Sequence, residues 1–450
     1  MVEEKDLSMM IDLYELTMAQ AYWSEGMEET ATFSLFFRKM PKHRNFVLAC
    51  GQQHVARIIE SFRFSQEHID RLRELNRFEP DFLDWLRRFR FSGSIQALPE
   101  GTPVFPQEPL LEVEAPIAEA QMLESLVMNY VHLESLLASK ASRLVIAAGD
   151  KPVVDFGMRR MHGLDAAYRG VRAFRIAGLS GTSNVLAGLD HGLPPRGTMA
   201  HSFVQACDDE MSAFRTYARL YPGTTLLVDT YDTEKAVKDI IRWMTENPDV
   251  DIGGIRLDSG DLSALAFSCR KLLDEAGYKH ISIMASSGLD EYKIARLQDD
   301  GAPLDGFGVG TAVGASNDAP ALELAYKLTE YAGKPRMKNS PGKQSFPGRK
   351  QVFRQQDENG NIMGDVIAHR DETMEGTPLL VPTLWAGRVV EGAIAPLDEA
   401  TRTSREAVAR LPDRLRQLEP AEPYPITISD RLQKLQNRTL ESLGAPSQRP

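Results

Sequence analysis

A repeat of about 25 residues, running from residue 150 to residue 311, constrains the fold more than any other feature of the sequence. Short apolar runs end in small or polar residues, and stretches with helical spacing of apolar residues separate them. Seven runs follow this pattern: KPVVDFG (151–157), AGLSGTSN (177–184), GTMAHS (197–202), TTLLVDTYDT (224–233), IGGIRLDSGD (252–261), ISIMASSG (281–288) and DGFGVGT (305–311). The repeat has the length of one βα unit, so it predicts parallel strands covered by helices.

The stretches between the runs carry helix signals. Thr233 is the predicted N-cap of a helix whose apolar residues lie on one side, and the next helical stretch ends at Gly277. A closed or nearly closed β/α barrel is the most economical arrangement of these units, and a doubly wound open sheet is the alternative.

The flanking segments have a different pattern. Residues 30–50 and 92–114 resemble antiparallel strands broken by prolines, and residues 117–148 predict one long helix. Residues 333–354 form a basic stretch punctuated by proline and glycine, and residues 400–447 predict peripheral helices. We therefore predict an N-terminal α+β domain over residues 1–115, a β/α-barrel catalytic domain over 116–330, and a C-terminal segment over 331–450 that completes the α+β domain.

Composition excludes several classes of protein. The 450 residues are 42% hydrophobic, enough for two or three packed units, and the net charge of −11 argues against sequence-independent binding of nucleic acid. Cys50, Cys207 and Cys269 lie too far apart to form a disulfide framework or a zinc site by themselves, which fits a reducing cytoplasm. No segment has the apolar length of a signal peptide or a membrane helix, so we expect a cytoplasmic protein without a membrane role.

Polar side chains collect at the ends of the predicted strands, where the loops of a β/α barrel converge. These positions are Asp155 and Arg159, Thr182 and Ser183, Thr198 and His201, Asp229 and Asp232, Arg256, Asp258 and Asp261, Ser286 and Ser287, and Gly308, Gly310 and Thr311. The turns ASSG (285–288) and GVGT (308–311) allow backbone N–H groups to approach a phosphate, although their glycines can equally serve only tight turns. FGVGTAVG resembles a dinucleotide fingerprint only superficially, because its third glycine comes one place late.

The acids of DTYDT and RLDSGD have two interpretations. They can bind ribose hydroxyls, hold Mg²⁺ or stabilise an oxocarbenium ion, or Asp232 and Asp258 can simply cap helices. Arg256 at a barrel mouth requires an anion, which is either a substrate or a salt-bridge partner such as Asp258 or Asp229.

His201 limits the chemistry further. The nearest histidines, His191 and His162, provide no metal-binding motif, and the sequence has no G-x-S-x-G element of a serine hydrolase. Two interpretations remain: a buried histidine with satisfied hydrogen bonds, or an imidazole among phosphate-binding turns that acts as a general base or accepts a phosphoryl group.

As a set, these motifs resemble those of nicotinate phosphoribosyltransferase. The resemblance is carried, in chain order over about residues 6–355, by DLYELTM, FFRKMP, DFGMRRMHG, SGTSNVLAG, GTMAHSF, DTYDT, GIRLDSGDL, ASSGLDE and GVGTAV. It implies an α/β fold with an irregular β/α barrel of the type II phosphoribosyltransferase kind. It also implies an enzyme of NAD biosynthesis that joins nicotinate to phosphoribosyl pyrophosphate, requires Mg²⁺, and couples ATP hydrolysis to the reaction through a phosphohistidine.

The resemblance also implies roles for individual residues. His201 matches the phosphohistidine, and Asp229 and Asp258 match catalytic acids on the ribose and Mg²⁺ side. The residues implied at nicotinate are Tyr14, from a neighbouring subunit of a homodimer, and Phe156, Arg159, Ser183, Thr198 and Arg256. Those implied at phosphoribosyl pyrophosphate are Arg38, Ser287, Gly288, Gly310, Thr311 and Lys338, with Lys350 in the same basic stretch.

Ser183 bears on the choice of substrate. Related nicotinamide enzymes carry an aspartate in this turn, which would repel the nicotinate carboxylate, whereas a neutral hydroxyl does not, so we expect nicotinate. The alternatives are a nicotinamide phosphoribosyltransferase, a quinolinate phosphoribosyltransferase, which shares the barrel but acts without ATP, a phosphosugar-handling β/α-barrel enzyme and a non-catalytic regulatory barrel.

Overall fold

The computed structural model describes residues 3–338, 340 and 345–443, which divide into two compact units. The first unit combines the chain up to Ser139 with the chain from Ala319 onward, and the second is Lys140–Asp318. Residues 339 and 341–344 of the predicted basic stretch, and residues 444–447 of the polar C-terminal segment, lie outside the described residues.

The unit boundaries differ from the predicted ones after residues 115 and 330, because the helix Glu124–Ala148 contributes to both units. Its earlier residues, including Leu126 and Val131, belong to the hydrophobic core of the first unit. Buried ion pairs hold its later residues in the second unit. Lys140 Nζ lies 2.5 Å from Glu291 Oε2 and 2.9 Å from Asp318 Oδ1.

The first unit contains a seven-stranded antiparallel sheet. The strand order is Lys334–Pro335, Leu324–Tyr331, Thr30–Phe37, Leu111–Pro116, Ser94–Ala97, Val381–Trp385 and Arg388–Val389. The predicted antiparallel strands within residues 30–50 and 92–114 are therefore confirmed. A four-stranded sheet has the order Thr377–Pro378, Lys350–Gln356, Ile362–His369 and Ile426–Ile428, and Val47–Leu48 pairs with Pro103–Val104.

Helices surround these sheets and bury an aromatic-rich core. They are Leu13–Ser24, Gln52–Ser61, Gln66–Glu74, Pro80–Arg88, Ile117–Gln121, Leu397–Ala409 and Asp430–Ser442. The predicted single helix over 117–148 is two helices, because Ile117–Gln121 ends before Glu124–Ala148 begins. Phe33 stacks on Tyr326 with ring centroids 4.9 Å apart, which ties the N-terminal strand to the strand after residue 319.

The second unit contains the predicted βα series. Its six strands form one parallel sheet in the order Gly181–Thr182, Val153–Asp155, Gly306–Val309, Ser282–Ala285, Ile252–Leu257 and Thr224–Leu227. Its other helices are Leu164–Ala177, Val185–His191, His201–Ala206, Glu210–Leu220, Thr233–Glu246, Leu262–Glu275, Glu291–Asp299 and Thr311–Ala315. Six of the seven predicted strands are thus confirmed.

The seventh prediction, a strand over GTMAHS, is wrong. Residues 197–200 have no regular secondary structure, and His201 begins a short helix. Pro194 and Pro195 precede this segment and lack the backbone N–H groups that a central strand needs, and only an isolated bridge joins Pro195 to Thr182. In the described part of the chain, no strand pairing closes the sheet between Gly181–Thr182 and Thr224–Leu227.

The first residues of two helices show which of the predicted acids act as N-caps. Asp232, rather than Thr233, caps Thr233–Glu246 by accepting a hydrogen bond from the backbone N–H of Lys235 at 2.9 Å. Asp261, and not Asp258, caps Leu262–Glu275. Asp258 therefore has no capping role. Among the described residues, no helix is long and apolar enough to cross a membrane.

Candidate active site

His201 lies between two loops that follow neighbouring strands of the parallel sheet. Its Nδ1 is 3.1 Å from Thr230 Oγ1, and its Nε2 is 3.7 Å from Asp258 Oδ2. The His201 side chain is 38% exposed. The interpretation of His201 as a buried histidine with satisfied hydrogen bonds is therefore wrong, because Nε2 faces a carboxylate at the edge of an open region.

Asp229 and Asp258 form a linked pair of acids beside this imidazole. Asp229 Oδ2 accepts hydrogen bonds from the backbone N–H of Asp258 at 2.8 Å and from Ser259 Oγ at 2.6 Å, and Asp258 Oδ1 accepts one from Ser286 Oγ. Asp229 Oδ1 is buried and accepts no hydrogen bond from any residue that the structure describes. In each acid, hydrogen bonds from the protein hold one carboxylate oxygen. The other oxygen, Oδ1 of Asp229 and Oδ2 of Asp258, accepts no hydrogen bond from the described residues.

Arg256 keeps its capacity to bind an anion. Its Nη1 donates to Thr198 Oγ1 at 2.6 Å and its Nη2 to the carbonyl oxygen of Met199 at 3.3 Å. Its buried Nε has no hydrogen-bond partner among the described residues. The alternative interpretation of Arg256, a salt bridge to Asp229 or Asp258, is not borne out, since no such ion pair forms within the described part of the chain. Burial lowers the pKa of Arg256, an effect that the two acids oppose. A carboxylate ligand would offset this cost of burying the guanidinium.

Phe156 and Arg159 extend the site on the side of the first strand. The Arg256 guanidinium carbon lies 5.9 Å from the centroid of the Phe156 ring. Gly308 makes room for this ring, since a Cβ at position 308 would stand 2.7 Å from Phe156 Cδ2. Gly308 lies within the strand Gly306–Val309, so it does not serve a tight turn. Arg159 lies on the exposed 3₁₀ turn Met158–Arg160. Its charge also lowers the pKa of Arg256, so the two guanidinium groups are close enough to repel each other.

Asp155 and Thr182 belong to the scaffold of the site. Asp155 is fully buried and accepts hydrogen bonds from Thr182 Oγ1 at 2.7 Å and from the backbone N–H of Gly157 at 2.6 Å. Burial raises the pKa of Asp155. The backbone N–H of Ser183 donates to the carbonyl oxygen of Asp155 at 2.8 Å, which holds the SGTSN turn beside the strand that leads to Phe156.

The two Gly/Ser turns follow adjacent strands at the same edge of the sheet. Ser287 has φ of 86°, a left-handed conformation that is unfavourable for a residue other than glycine, and such strain concentrates at functional sites. Gly288 follows with φ of 59°, and Lys293 Nζ donates to its carbonyl oxygen at 2.7 Å. Gly310 precedes the helix Thr311–Ala315, and both Ser287 and Thr311 are exposed.

Three predicted residues lie in the first unit: Tyr14 is near Glu124, and the charges of Arg38 and Lys338 act on Lys327. Burial and Glu124 together raise the pKa of Tyr14. Lys327 Nζ lies 3.8 Å from Glu124 Oε1, and burial lowers the pKa of Lys327, with Arg38 and Lys338 lowering it further. Tyr14, Arg38 and Lys338 are thus grouped, and Lys327 is a fourth member that the sequence analysis missed.

Lys350 does not belong to an exposed basic loop, so its expected place beside Lys338 is wrong. It begins the strand Lys350–Gln356, is buried, and forms an ion pair of 3.0 Å with Glu112 Oε1. Arg370 Nη2 lies 2.5 Å from the other oxygen of Glu112. Lys350 therefore neutralises a buried carboxylate instead of facing a ligand.

Two hydroxyl groups beside the catalytic candidates, those of Thr230 and Ser259, were the other omission, whereas Ser286 was among the predicted residues at the strand ends. Thr230 contacts His201, Ser259 contacts Asp229 and Ser286 contacts Asp258. Thr230 and Ser259 each directly follow one of the predicted acids in the sequence. This position, directly after a candidate acid at a strand end, was the only signal in the sequence that could have identified Thr230 and Ser259.

These contacts define the class of protein: an α/β enzyme whose catalytic groups follow the strands of a parallel sheet and whose loops suit a small anionic substrate. Residues 9–132 match the nicotinate phosphoribosyltransferase (NAPRTase) N-terminal domain, and residues 152–358 match the NAPRTase family. The chain belongs to the nicotinate phosphoribosyltransferase family.

Individual relatives agree with this assignment. Nicotinate phosphoribosyltransferase pncB2 of Mycobacterium tuberculosis (strain H37Rv) is 49% identical over 423 residues, which cover 94% of this chain and 91% of that protein. The nicotinate phosphoribosyltransferase of Bacillus subtilis (strain 168) is 41% identical over 380 residues, 82% of this chain and 78% of that protein.

Solved structures also match over most of the chain. Human nicotinic acid phosphoribosyltransferase superposes with a TM-score of 0.83 at 28% identity, covering 95% of this chain and 99% of that one. Nicotinate-nucleotide pyrophosphorylase from Pyrococcus furiosus superposes with a TM-score of 0.75 at 25% identity, covering 91% and 97%.

Proposed function

We propose that this protein is a nicotinate phosphoribosyltransferase that forms nicotinate mononucleotide and pyrophosphate from nicotinate and phosphoribosyl pyrophosphate, with ATP hydrolysis coupled through phosphorylated His201. The observation that carries the proposal is the contact of His201 with Thr230 and Asp258, next to Asp229, within the family-matched residues 152–358.

The nicotinate side of the proposal rests on Arg256 and Phe156. The unpartnered Nε of Arg256 and the nearby charge of Arg159 suit a carboxylate, and the Phe156 ring offers a face for the pyridine. Ser183 adds no negative charge to the site, whereas an aspartate at this position would repel the carboxylate of nicotinate. The neutral side chain therefore favours nicotinate over nicotinamide.

In the proposed reaction, the pyridine nitrogen attacks C1 of the ribose while pyrophosphate leaves. Positive charge develops on the sugar, and the carboxylates of Asp229 and Asp258 stabilise it. The turns that contain Ser287, Gly288, Gly310 and Thr311 would hold the 5′-phosphate and so align the two reactants.

Mg²⁺ fits the acids on chemical grounds. Asp229 Oδ1 is a buried carboxylate oxygen to which none of the described residues donates a hydrogen bond, and Asp258 provides a second carboxylate beside it. Magnesium prefers oxygen ligands of this kind. Asp229 and Asp258 would hold the ion, which when bound neutralises charge on the pyrophosphate.

A homodimer and an irregular barrel complete the proposal. Tyr14 is 45% exposed, and Met10 and Leu13 beside it are exposed as well, so the start of the chain offers an apolar surface to a second copy. In that dimer, Tyr14 of one subunit would face Phe156 of the other across the pyridine ring. Within the second unit, we propose that the segment carrying Thr198 takes the place of a strand and completes an irregular β/α barrel.

The test is product formation by the purified protein. Phosphoribosyl pyrophosphate and Mg²⁺ are supplied with nicotinate, nicotinamide or quinolinate, each with and without ATP. We expect nicotinate mononucleotide as the main product and stimulation by ATP. Quinolinate consumption without ATP would instead identify a quinolinate phosphoribosyltransferase.

His201→Ala tests the coupling to ATP. We expect this variant to lose ATP stimulation together with the acid-labile phosphoryl label that ATP leaves on the protein. His280→Ala is the matched control, because His280 is exposed and lies outside the site. A His201→Ala protein with the same ATP dependence as the parent would refute the phosphohistidine.

A further inference from the structure

A cavity of about 430 Å³ opens beside the seven-stranded sheet of the first unit. It lies where the strands Thr30–Phe37 and Ser94–Ala97 begin and the strand Leu111–Pro116 ends. Its volume falls in the range of about 300–1,000 Å³ that small-molecule sites occupy. The described residues that line it include none of those that we assign to nicotinate, phosphoribosyl pyrophosphate or catalysis. We propose that it is a second binding site, which takes a small organic anion with a planar ring.

Two arginines supply positive charge to this cavity. Arg349 and Arg370 lie side by side, because the backbone N–H of Arg370 donates to the carbonyl oxygen of Arg349 at 2.9 Å. Glu114 is the one acid among the described lining residues. Its Oε1 forms an ion pair with Arg370 Nη1, and its Oε2 lies 3.9 Å from Arg349 Nη1. Two cations and one acid leave the lining with a net charge of +1, which favours a negatively charged ligand.

Both guanidinium groups keep donors for such a ligand. The Nε atoms of Arg349 and Arg370 are buried, and neither donates a hydrogen bond to a described residue. Asp371 Oδ2 accepts from Arg349 Nη2 at 3.3 Å, but Glu330 Oε1 lies 3.7 Å from Arg349 Nε, which is too far for a hydrogen bond. The Arg349 side chain is 34% exposed, so it can turn its donors toward the cavity. A carboxylate or phosphate oxygen is the strongest acceptor for them.

Trp385 supplies a surface for the ring of the ligand. It lines the cavity and is 66% exposed, although indoles are mostly buried in folded proteins. It ends the strand Val381–Trp385, and the next two residues have positive φ, 47° at Ala386 and 74° at Gly387, as in a tight hairpin turn. The backbone N–H of Gly387 donates to the carbonyl oxygen of Gly93 at 2.8 Å. The turn therefore fixes the backbone at Trp385, whose indole can stack on a planar ring.

Four probes separate the contribution of the ring from that of the charge. Benzoate and AMP carry both a planar ring and an anionic group, which is a carboxylate in benzoate and a phosphate in AMP. Benzamide carries only the ring, and inorganic phosphate carries only the charge. Each probe is titrated into the purified protein, and binding is followed by tryptophan fluorescence and by isothermal titration calorimetry. The comparison of benzoate with AMP shows which anionic group the cavity accepts.

Three variants locate the bound probe. Arg349→Gln removes one guanidinium group from the lining. Arg388→Gln is the matched control, because Arg388 is exposed in the hairpin that carries Trp385 and is not among the lining residues. Trp385→Phe keeps an aromatic ring at the cavity and removes the fluorescent reporter.

We expect saturable binding of benzoate, AMP or both, with a change in tryptophan fluorescence. Benzamide should bind about 10-fold or more weakly than benzoate, and inorganic phosphate about 2- to 13-fold more weakly than AMP, because each lacks one of the two contacts. Arg349→Gln should weaken binding about 10-fold or more, whereas Arg388→Gln should bind as the parent does. Trp385→Phe should lose the fluorescence change and keep the binding measured by calorimetry.

Three results would overturn the proposal. If neither benzoate nor AMP binds, the cavity is not such a site. If Arg349→Gln and Arg388→Gln bind the probe equally well, the probe lies elsewhere. If benzamide binds as tightly as benzoate and phosphate as tightly as AMP, the ligand class is wrong, and this comparison on the parent holds even if Arg349→Gln fails to fold. None of these measurements requires turnover, so their failure and the failure of the proposed function are separate results.

Discussion

Gly308→Ala should displace the Phe156 ring and so weaken nicotinate binding. The added Cβ would stand 2.7 Å from Phe156 Cδ2 and closer still to Cε2, whereas carbon atoms in contact are about 3.5–4.0 Å apart. The ring must therefore move by about 1 Å, at a cost typical of overpacking, about 1–3 kcal/mol of stability. Stacking between aromatic rings contributes about 0.5–1.5 kcal/mol, so its loss raises the KM for nicotinate about 2- to 13-fold.

The assay is steady-state synthesis of nicotinate mononucleotide with nicotinate varied at saturating phosphoribosyl pyrophosphate, together with thermal unfolding. Gly306→Ala is the matched control in the same strand. Its Cβ would be 3.1 Å from Pro152 Cγ, and Phe156 is not among the atoms nearest to it. The control should lose some stability and keep the parental KM. A parental KM for nicotinate in Gly308→Ala would refute the role of Gly308 in seating the Phe156 ring.

Three further substitutions test other parts of the structure. Ser183→Asp should raise the KM for nicotinate about 10-fold or more relative to the KM for nicotinamide, because like charges in contact cost several kcal/mol. If the ratio of the two KM values stays parental, Ser183 does not determine the choice between these substrates. Lys350→Met should lower the free energy of unfolding by about 1.5–3 kcal/mol, because Glu112 keeps Arg370 but loses one of its two cationic partners, while the KM for phosphoribosyl pyrophosphate stays parental. Denaturant titration and kinetics check this, and the reverse result would return Lys350 to the binding site. Burial raises the pKa of Glu210 to about 7, so the folded protein favours the protonated acid and loses stability as pH rises from about 4.5 to about 7. Glu210→Gln should therefore gain thermal stability relative to the parent over that range and keep the gain above it; parallel curves of melting temperature against pH would contradict this.

The parallel series was predictable because each strand and its helix are encoded within one short stretch of sequence. Apolar runs with small or polar ends predicted six of the strands correctly. GTMAHS failed because its apolar character resembles a strand, while the deciding feature, Pro194 and Pro195, lies upstream of the run. The order of the strands in the sheet was not predictable, since it depends on pairing between segments far apart in the sequence.

The candidate site was predictable where a residue type has few structural uses. A histidine and two acids at strand ends are unusual enough to notice, and His201, Asp229 and Asp258 do lie together. Hydroxyl groups are too common for Thr230 to stand out. The burial of Lys350 was not predictable, because its neighbours in sequence are basic and polar, while its partner, Glu112, comes from a strand more than 200 residues earlier.

The seven-stranded sheet has a consequence for how the protein is made. Thr30–Phe37 pairs on one side with Leu111–Pro116, but its other partner, Leu324–Tyr331, leaves the ribosome roughly 290 residues later. At about 5–20 residues per second, this delay lasts roughly 15–60 s. During that interval the nascent chain carries a long apolar strand with one unpaired edge, the kind of surface that aggregates and that chaperones bind.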